Sequence, residues 1–143
     1  MGDVTIYHNP ACSKSRDVLR VIEAAGYEPK VVQYMKAGWD REELVQLLAD
    51  AGMTPHEVLR RQRGPAQELG LLEQGVTDAQ ILDAMIEHPV LVERPIVRTD
   101  KGVALCRPVG KVLDLLENWP EGPFARSNGT LLIDAQGLPV PGV

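Results

Sequence analysis

Apolar residues near the amino terminus change from a strand-like to a helical pattern and back again. Val4-Thr5-Ile6-Tyr7 is a short run rich in β-branched and aromatic residues, and Val31-Val32-Gln33-Tyr34 is a second one. Between them, apolar residues recur at helical spacing until Gly26, at Val18, Val21, Ile22 and Ala25. A right-handed crossover would make the two strands parallel, so the pattern predicts a βαβ unit.

The middle of the chain carries repeated signals for helix starts. Asp40 with Glu43 precedes a leucine-rich helical stripe, and Thr54-Pro55-His56-Glu57 and Thr77-Asp78-Ala79-Gln80 are both capping boxes. From Pro95 the pattern becomes two strand-like runs, residues 96–98 and 103–105, separated by a turn-rich linker. A last helical stripe begins after Pro108.

The order βαβ, helical block, ββα predicts an α/β, thioredoxin-like (glutaredoxin-like) fold with a helical insertion between its halves. We expect the 143 residues to form a single domain, with the insertion at about residues 40–88. The tail, at about residues 118–143, is rich in Pro and Gly, and we expect it to be irregular. Within it, Thr130–Ile133 could form an edge strand or an extended arm.

Composition narrows the function classes. The formal net charge of -5 argues against a nucleic-acid partner, which would require a basic surface. Apolar runs fall short of the roughly 20 residues that span a membrane, and the first ten residues lack a basic, then apolar, leader pattern, so we expect a cytoplasmic protein that binds no membrane. The two cysteines lack the spacing of a disulfide framework, so both are expected to be thiols.

The stretch YHNPACSKSR, residues 7–16, places Cys12 at the predicted strand-to-helix turn. A helix amino terminus and nearby cations both lower a thiol pKa and can also hold an oxyanion, so Cys12 is the candidate nucleophile, with Lys14 and Arg16 as nearby cations. His8, if protonated, would favour the thiolate; alternatively it is only a residue packed at the strand end. The alternative for Cys12 is a small buried hydrophobic residue.

Spacing excludes two related thiol chemistries. Cys12 to Ser15 is C-x-x-S, so the turn lacks the second thiol of a C-x-x-C oxidoreductase, and another molecule must supply the resolving thiol. Arg16 follows at C-x-x-x-R, which does not match the longer C-x-x-x-x-x-R loop of cysteine phosphatases and phosphatase-like reductases.

Cys106 is expected to be a buried core thiol. The histidines at 56 and 88 have no partners at metal-ligand spacing, so we predict no metal site.

Several separated segments together resemble one family. They are HNPAC at 8–12 with Ser15-Arg16, Leu59-Arg60, ELGL at 68–71, His88-Pro89, RPIV at 94–97 and LCRP at 105–108. In this order and spacing they resemble the glutaredoxin-coupled arsenate reductases of the ArsC type, from about Thr5 to Leu116. The resemblance implies reduction of arsenate to arsenite as part of arsenical resistance, with no tightly bound cofactor. Arsenate, glutathione as co-substrate and glutaredoxin would be the partners.

The resemblance also implies roles for individual residues. Cys12 would attack arsenate, His8 would tune the thiolate, and the Ser15 hydroxyl would hydrogen-bond the sulfur. Arg60, Arg94 and Arg107 match the family's oxyanion-binding arginines, a task that suits guanidinium groups because they donate paired hydrogen bonds. The Arg94–Pro95 bond is expected to be cis.

Two alternatives remain at this point. One is a glutathione-dependent thiol reductase acting on another substrate, such as an organic disulfide, although the arginine set argues against it. The other is a regulator of the Spx type, which would bind RNA polymerase without turnover. Such regulators commonly carry C-x-x-C at the active turn, whereas this chain has Ser15 in the fourth position.

Overall fold

A computed structural model describes residues 2–143. Residues 2–33 together with Arg94–Val143 form one compact unit, and Tyr34–Glu93 forms a second. Within the described residues, the first unit contains a four-stranded sheet in the order β2-β1-β3-β4. Its strands are β1 (Thr5–Tyr7), β2 (Lys30–Val32), β3 (Ile96–Thr99) and β4 (Gly102–Leu105).

Strand directions follow the sequence prediction. β1 pairs with β2 in parallel, with Ile6 opposite Val31, and the connection between them is α1 (Ser13–Ala24). β3 runs antiparallel to β1, with Ile6 opposite Val97, and β4 completes an antiparallel hairpin with β3. The predicted βαβ and ββ elements are therefore present, except that β2 ends at Val32 and Tyr34 begins a short helix instead of extending the strand.

The core of this unit lies where α1 and the residues after β4 pack with the sheet. Its members are buried apolar side chains contributed by strands, helix and tail, among them Ile6, Val18, Ile22, Val97, Val112 and Ile133. The apolar stripe of α1 faces this cluster, since Val18, Val21 and Ile22 are buried. Burying that stripe fixes α1 against the sheet, and therefore also fixes the turn that leads into α1.

The second unit contains helices α2 (Tyr34–Ala37), α3 (Arg41–Ala51), α4 (Pro55–Val58) and α5 (Asp78–Glu87). Asp40 caps α3 by accepting the Glu43 N–H, and the capping boxes predicted at Thr54 and Thr77 are both formed. The helical block thus extends over residues 34–93, beyond the expected 40–88. Among the residues described, no helix is long and apolar enough to cross a bilayer.

The chain after β4 differs from the predicted helix and irregular tail. Val109–Leu115 is a 3-10 helix, and the tail contains β5 (Phe124–Ala125) and β6 (Leu131–Ile133), which pair with each other. We call residues 118–143 the C-terminal strap. Leu132 and Ile133 of β6 are buried in the core of the first unit, which accounts for the order of a segment with no sequence periodicity.

A buried carboxylate joins this strap to α1. Asp17, 1% exposed, accepts hydrogen bonds from Arg126 Nε at 2.9 Å and from the Ser127 N–H at 3.1 Å. Arg20 donates to Asp17 and to the carbonyl of Ala125, and its guanidinium lies 5.2 Å from the centre of the Phe124 ring. The strap is therefore attached to the helix that follows the Cys12 turn.

Candidate active site

Cys12 is the N-cap residue of α1. Its backbone is extended (φ -98°, ψ 123°), and the first helical bond runs from Arg16 N–H to the Cys12 carbonyl. An N-cap side chain normally offers an oxygen to the exposed N–H groups of the first turn. Here the N-cap side chain is a thiol that makes no capping hydrogen bond, but the nearby main-chain N–H groups of Ser15 and Lys14 lower its pKa. The helix start is thus arranged to favour a thiolate.

The pKa of Cys12 is lowered below the ordinary cysteine value. Burial, with the residue 8% exposed, acts to raise the pKa of this thiol, but it is outweighed by the Ser15 N–H, the charge and hydrogen bond of the Arg94 guanidinium, and the Lys14 N–H. The sulfur is therefore a favoured nucleophile with a fixed cation beside it. Cys12 is buried, as the alternative of a small buried hydrophobic residue requires, but the groups around it favour its charged form, which that alternative does not predict.

His8 and Ser15 lie together behind the turn. His8 Nδ1 is 2.7 Å from Ser15 Oγ, and Asn9 N–H donates to the same oxygen at 3.1 Å. The Ser15 hydroxyl, which we expected to hydrogen-bond the sulfur, thus binds His8 and Asn9 instead. It is the main-chain N–H of Ser15 that faces the sulfur.

The electrostatic role expected of a protonated His8 is also disfavoured. Burial lowers the pKa of His8, Arg16 lowers it further, and the charge of Glu23 only partly offsets them. These effects favour the neutral imidazole over the charged one. The side-chain contact of His8 in the turn is the one with Ser15 Oγ.

Arg94 and Arg107 flank the β3–β4 hairpin at its open end, one before the first strand and one after the second. Arg94 precedes β3, and its peptide bond to Pro95 is cis, as predicted. Arg107 follows β4, and its Nη1 donates to the Arg94 carbonyl at 3.2 Å. Arg94, one of the predicted oxyanion ligands, therefore lies beside Cys12. Arg107, another of them, holds the main chain of Arg94.

Arg60 lies in the second unit. Its N–H donates to the carbonyl of Leu91 at 2.7 Å, and its side-chain Nε donates to the carbonyl of Gln62 at 3.2 Å. These contacts fix the segment that carries Arg60. Its predicted role as an oxyanion ligand remains a prediction.

Two other sequence candidates have structural tasks. Arg16 Nη1 donates to the carbonyl of Pro10 at 2.9 Å and so supports the turn. Cys106 is fully buried, with its Sγ 3.8 Å from the Ala104 carbonyl, and burial raises its pKa to about 12. Cys106 is the core thiol that the sequence predicted.

The assembled residues provide a nucleophile and a place for an anion. The thiolate of Cys12 can attack an electrophilic centre, while Arg94 and the helix amino terminus favour negative charge on oxygens bound to that centre.

Sequence reasoning missed Asn9, whose contacts organise the turn, and Asp17, which anchors the strap. Asparagine two residues before a turn N–H is the local signal for the first of these; the second depends on tertiary contacts.

Comparison with known proteins gives a consistent result. The model of the ArsC family matches residues 7–115. Arsenate reductase ArsI2 of Synechocystis sp. is 59% identical over 134 residues, covering 94% of this chain and 96% of the relative. An arsenate reductase of Escherichia coli is 43% identical over 137 residues, covering 96% of this chain and 97% of the relative.

A solved structure described as an arsenate reductase from Vibrio cholerae is similar in fold. It superposes with a TM-score of 0.76 at 37% identity, covering 80% of this chain and 98% of its own. The predicted α/β thioredoxin-like fold class is thereby confirmed. The matched family region ends at residue 115, before the C-terminal strap, whereas the Synechocystis and Escherichia coli relatives align over nearly the whole chain.

Proposed function

The chain belongs to the ArsC family, and we propose that it reduces arsenate to arsenite, with Cys12 as nucleophile and with glutathione and glutaredoxin as the source of electrons. The observation that carries this proposal is the position of Cys12, a thiol of lowered pKa at the start of α1 beside the Arg94 guanidinium. Relatives named arsenate reductases, 42–59% identical over at least 94% of this chain, support arsenate as the substrate.

The first step forms a bond between sulfur and arsenic. The Cys12 thiolate attacks arsenic(V), and one arsenate oxygen leaves as water after taking up protons. Arg94 stabilises both the incoming oxyanion and the charge of the adduct, since a guanidinium stays protonated and donates paired hydrogen bonds. Arg107 and Arg60 complete the proposed set of oxyanion-binding residues.

The electrons come from two external thiols. Glutathione displaces a second oxygen from arsenic as water, and a glutaredoxin thiolate then attacks the sulfur of the bound glutathione. A disulfide forms between the two sulfurs, the bond between glutathione and arsenic breaks, and its electron pair stays on arsenic, which becomes arsenic(III). Hydrolysis of the remaining bond releases arsenite and returns Cys12. The active turn has Ser15 where a C-x-x-C enzyme has its resolving thiol, which supports the need for these outside thiols.

A location in the cytoplasm is part of the same proposal. The scheme requires a reduced glutathione pool and two cysteines kept as thiols, which are conditions of a reducing compartment. Cys12 and Cys106 are both free thiols in the structure.

A coupled assay tests the proposal. Purified protein is supplied with glutathione, glutaredoxin, glutathione reductase and NADPH, and NADPH consumption is followed on adding arsenate. We expect arsenate-dependent consumption that stops when glutathione or glutaredoxin is omitted. Consumption with an organic disulfide but not with arsenate would favour a general thiol reductase, and no turnover together with recovery of RNA polymerase in a pull-down would favour a regulator.

A further inference from the structure

Asn9 lies within the turn ahead of Cys12 and takes part in three of its hydrogen bonds. Its side-chain Oδ1 accepts the Ala11 N–H at 3.0 Å, and its carbonyl accepts the Cys12 N–H at 3.0 Å. Its own N–H donates to Ser15 Oγ at 3.1 Å. Asn9 is buried and its bond to Ser15 is buried as well, whereas the bond from the Ala11 N–H is part-buried.

The main-chain N–H groups between β1 and α1 all have hydrogen-bond acceptors, apart from Pro10, which has no N–H. His8 N–H donates to Val32 of β2 at 2.8 Å. The N–H groups of residues 9, 11 and 12 are all engaged through Asn9. The N–H groups of the preceding loop are therefore held away from the Cys12 sulfur, and the main-chain groups that lower its pKa are those of Ser15 and Lys14 in the first helical turn.

The same contacts determine where the Ser15 proton points. Ser15 Oγ accepts the Asn9 N–H, and within residues 2–143 its other hydrogen-bond partner is His8 Nδ1, at 2.7 Å. Ser15 is fully buried and a main-chain N–H cannot accept a hydrogen bond, so Nδ1 is the acceptor that these two contacts offer the hydroxyl proton. The reverse direction, Nδ1–H to Oγ, would leave the hydroxyl proton without an acceptor among them. With the hydroxyl as donor, Nδ1 carries a lone pair, and the ring proton is on Nε2.

We propose that the Asn9 side chain is a positioning group for the reaction: by holding the Ala11 N–H it closes the turn ahead of Cys12 and keeps the Asn9 N–H on Ser15 Oγ, which leaves the Ser15 hydroxyl to donate to His8 as the Nε2–H tautomer. This inference rests on the proposed role of Cys12 as nucleophile. Asn9 does not touch the reacting atoms; it acts through the geometry of the turn.

The strap offers a matched control. Asn128 Oδ1 accepts the Thr130 N–H at 3.0 Å, which is the same contact between an asparagine and the N–H two residues later. Asn9→Ala and Asn128→Ala thus remove the same kind of bond, one at the turn and one in the strap. Asn9→Ser keeps a side-chain oxygen that can accept the Ala11 N–H and serves as the conservative variant.

The test measures the pKa of the Cys12 thiol from the pH dependence of its alkylation, without arsenate or glutathione. We expect Asn9→Ala to raise this pKa and to lower the alkylation rate at pH 7 by roughly two- to tenfold, as expected for one hydrogen bond. Asn9→Ser should restore most of the rate, and Asn128→Ala should match the wild type. An unchanged pKa in Asn9→Ala, or an equal shift in Asn128→Ala, would overturn the proposal.

Nitrogen NMR of isotope-labelled wild-type protein gives a second readout that does not depend on how well Asn9→Ala folds. We expect His8 at neutral pH to show a proton on Nε2 and a lone pair on Nδ1, and we expect Ser15→Ala to lose this preference. An imidazolium or an Nδ1–H tautomer in the wild type would contradict the inference. Since neither experiment uses arsenate, failure in the coupled assay would count against the proposed function alone.

Discussion

Arg107 Nη1 donates to the main-chain carbonyl of Arg94 across 3.2 Å, so the segment after β4 holds the main chain of the residue whose guanidinium lies beside Cys12. Two arginines that the sequence matched to the same task therefore occupy different positions in the site. Arg94 acts on the sulfur directly. Arg107 acts on the main chain that carries Arg94.

Arg107→Ala should impair the reaction and also change the free enzyme. Loss of the bond to the Arg94 carbonyl should loosen that loop, raise the pKa of Cys12 and lower kcat/KM for arsenate about ten- to a hundredfold, the range for a hydrogen bond to a charged group. Arg107→Lys should recover only part of this, because an ammonium lacks the planar fork. The coupled assay and alkylation kinetics measure both effects.

Arg41→Ala is the control for the loss of one cation. Arg41 forms an exposed ion pair with Asp83 in the second unit, and such surface pairs contribute little. We expect near-normal kinetics. If Arg107→Ala behaved like Arg41→Ala, the assignment of Arg107 to the site would be withdrawn.

The lowered pKa of Cys12 predicts a distinctive pH profile for its alkylation. The rate should rise with the thiolate fraction and reach its plateau at a lower pH than for an ordinary cysteine. Arg94→Ala should shift the midpoint upward, because the guanidinium charge and its hydrogen bond both favour the thiolate. Iodoacetamide kinetics from pH 5 to pH 10 provide the measurement. A midpoint that is unaltered in Arg94→Ala would mean that this cation does not act on the sulfur.

The two cysteines should differ sharply in reactivity. Cys106 is fully buried with a pKa of about 12, so it should remain unmodified in the folded protein at pH 8 while Cys12 is alkylated. Mass spectrometry after digestion identifies the modified residue. In urea both thiols should react, and modification of Cys106 in the native protein would show that its burial is not maintained.

Asp17 should stabilise the fold in a pH-dependent way. Its pKa is lowered below the usual 3.8, since burial alone would raise it but the hydrogen bonds from Arg126 and Ser127 outweigh that effect. A lowered folded-state pKa contributes stability above the unfolded pKa, and that contribution is lost as the pH falls through the folded value. We expect Asp17→Asn to lower the free energy of unfolding at pH 7 by roughly 1–3 kcal/mol.

Urea denaturation at a series of pH values tests this expectation. The difference between Asp17→Asn and the wild type should shrink below about pH 4, where the unfolded carboxyl becomes protonated. Asp83→Asn, which changes an exposed carboxylate paired with Arg41, should change stability little at any pH. A pH-independent difference for Asp17→Asn would show that shape, and not charge, explains its effect.

Elements governed by local rules were predictable from the sequence. The capping boxes at Thr54 and Thr77 depend on residues three positions apart, and the parallel pairing of β1 with β2 follows from the handedness of the crossover. The 3-10 helix at Val109–Leu115 was predicted only as a helix, because repeats of 3 and 3.6 residues are hard to separate over seven residues. The strap has no periodic pattern and depends on distant contacts such as Asp17 with Arg126.

In the candidate site, too, features set by local sequence were predictable and features set by tertiary contacts were not. The place of Cys12 at a strand-to-helix turn followed from the sequence, since helix periodicity begins directly after it. The partner of the Ser15 hydroxyl did not, because residue spacing cannot tell whether the hydroxyl or the N–H of that residue faces the sulfur. The lowered pKa of His8 also required the structure, because its main cause, burial, is a tertiary property.

The central claim is that the Cys12 sulfur performs the chemistry on arsenate, and direct measurement of arsenite produced by Cys12→Ser tests it most simply. Serine is nearly the same size as cysteine but is a far weaker nucleophile near neutral pH. We predict that Cys12→Ser, folded as judged by circular dichroism, forms no arsenite with glutathione and glutaredoxin, while Cys106→Ala retains the activity. Arsenite formation by Cys12→Ser at a rate near that of the wild type would contradict the account.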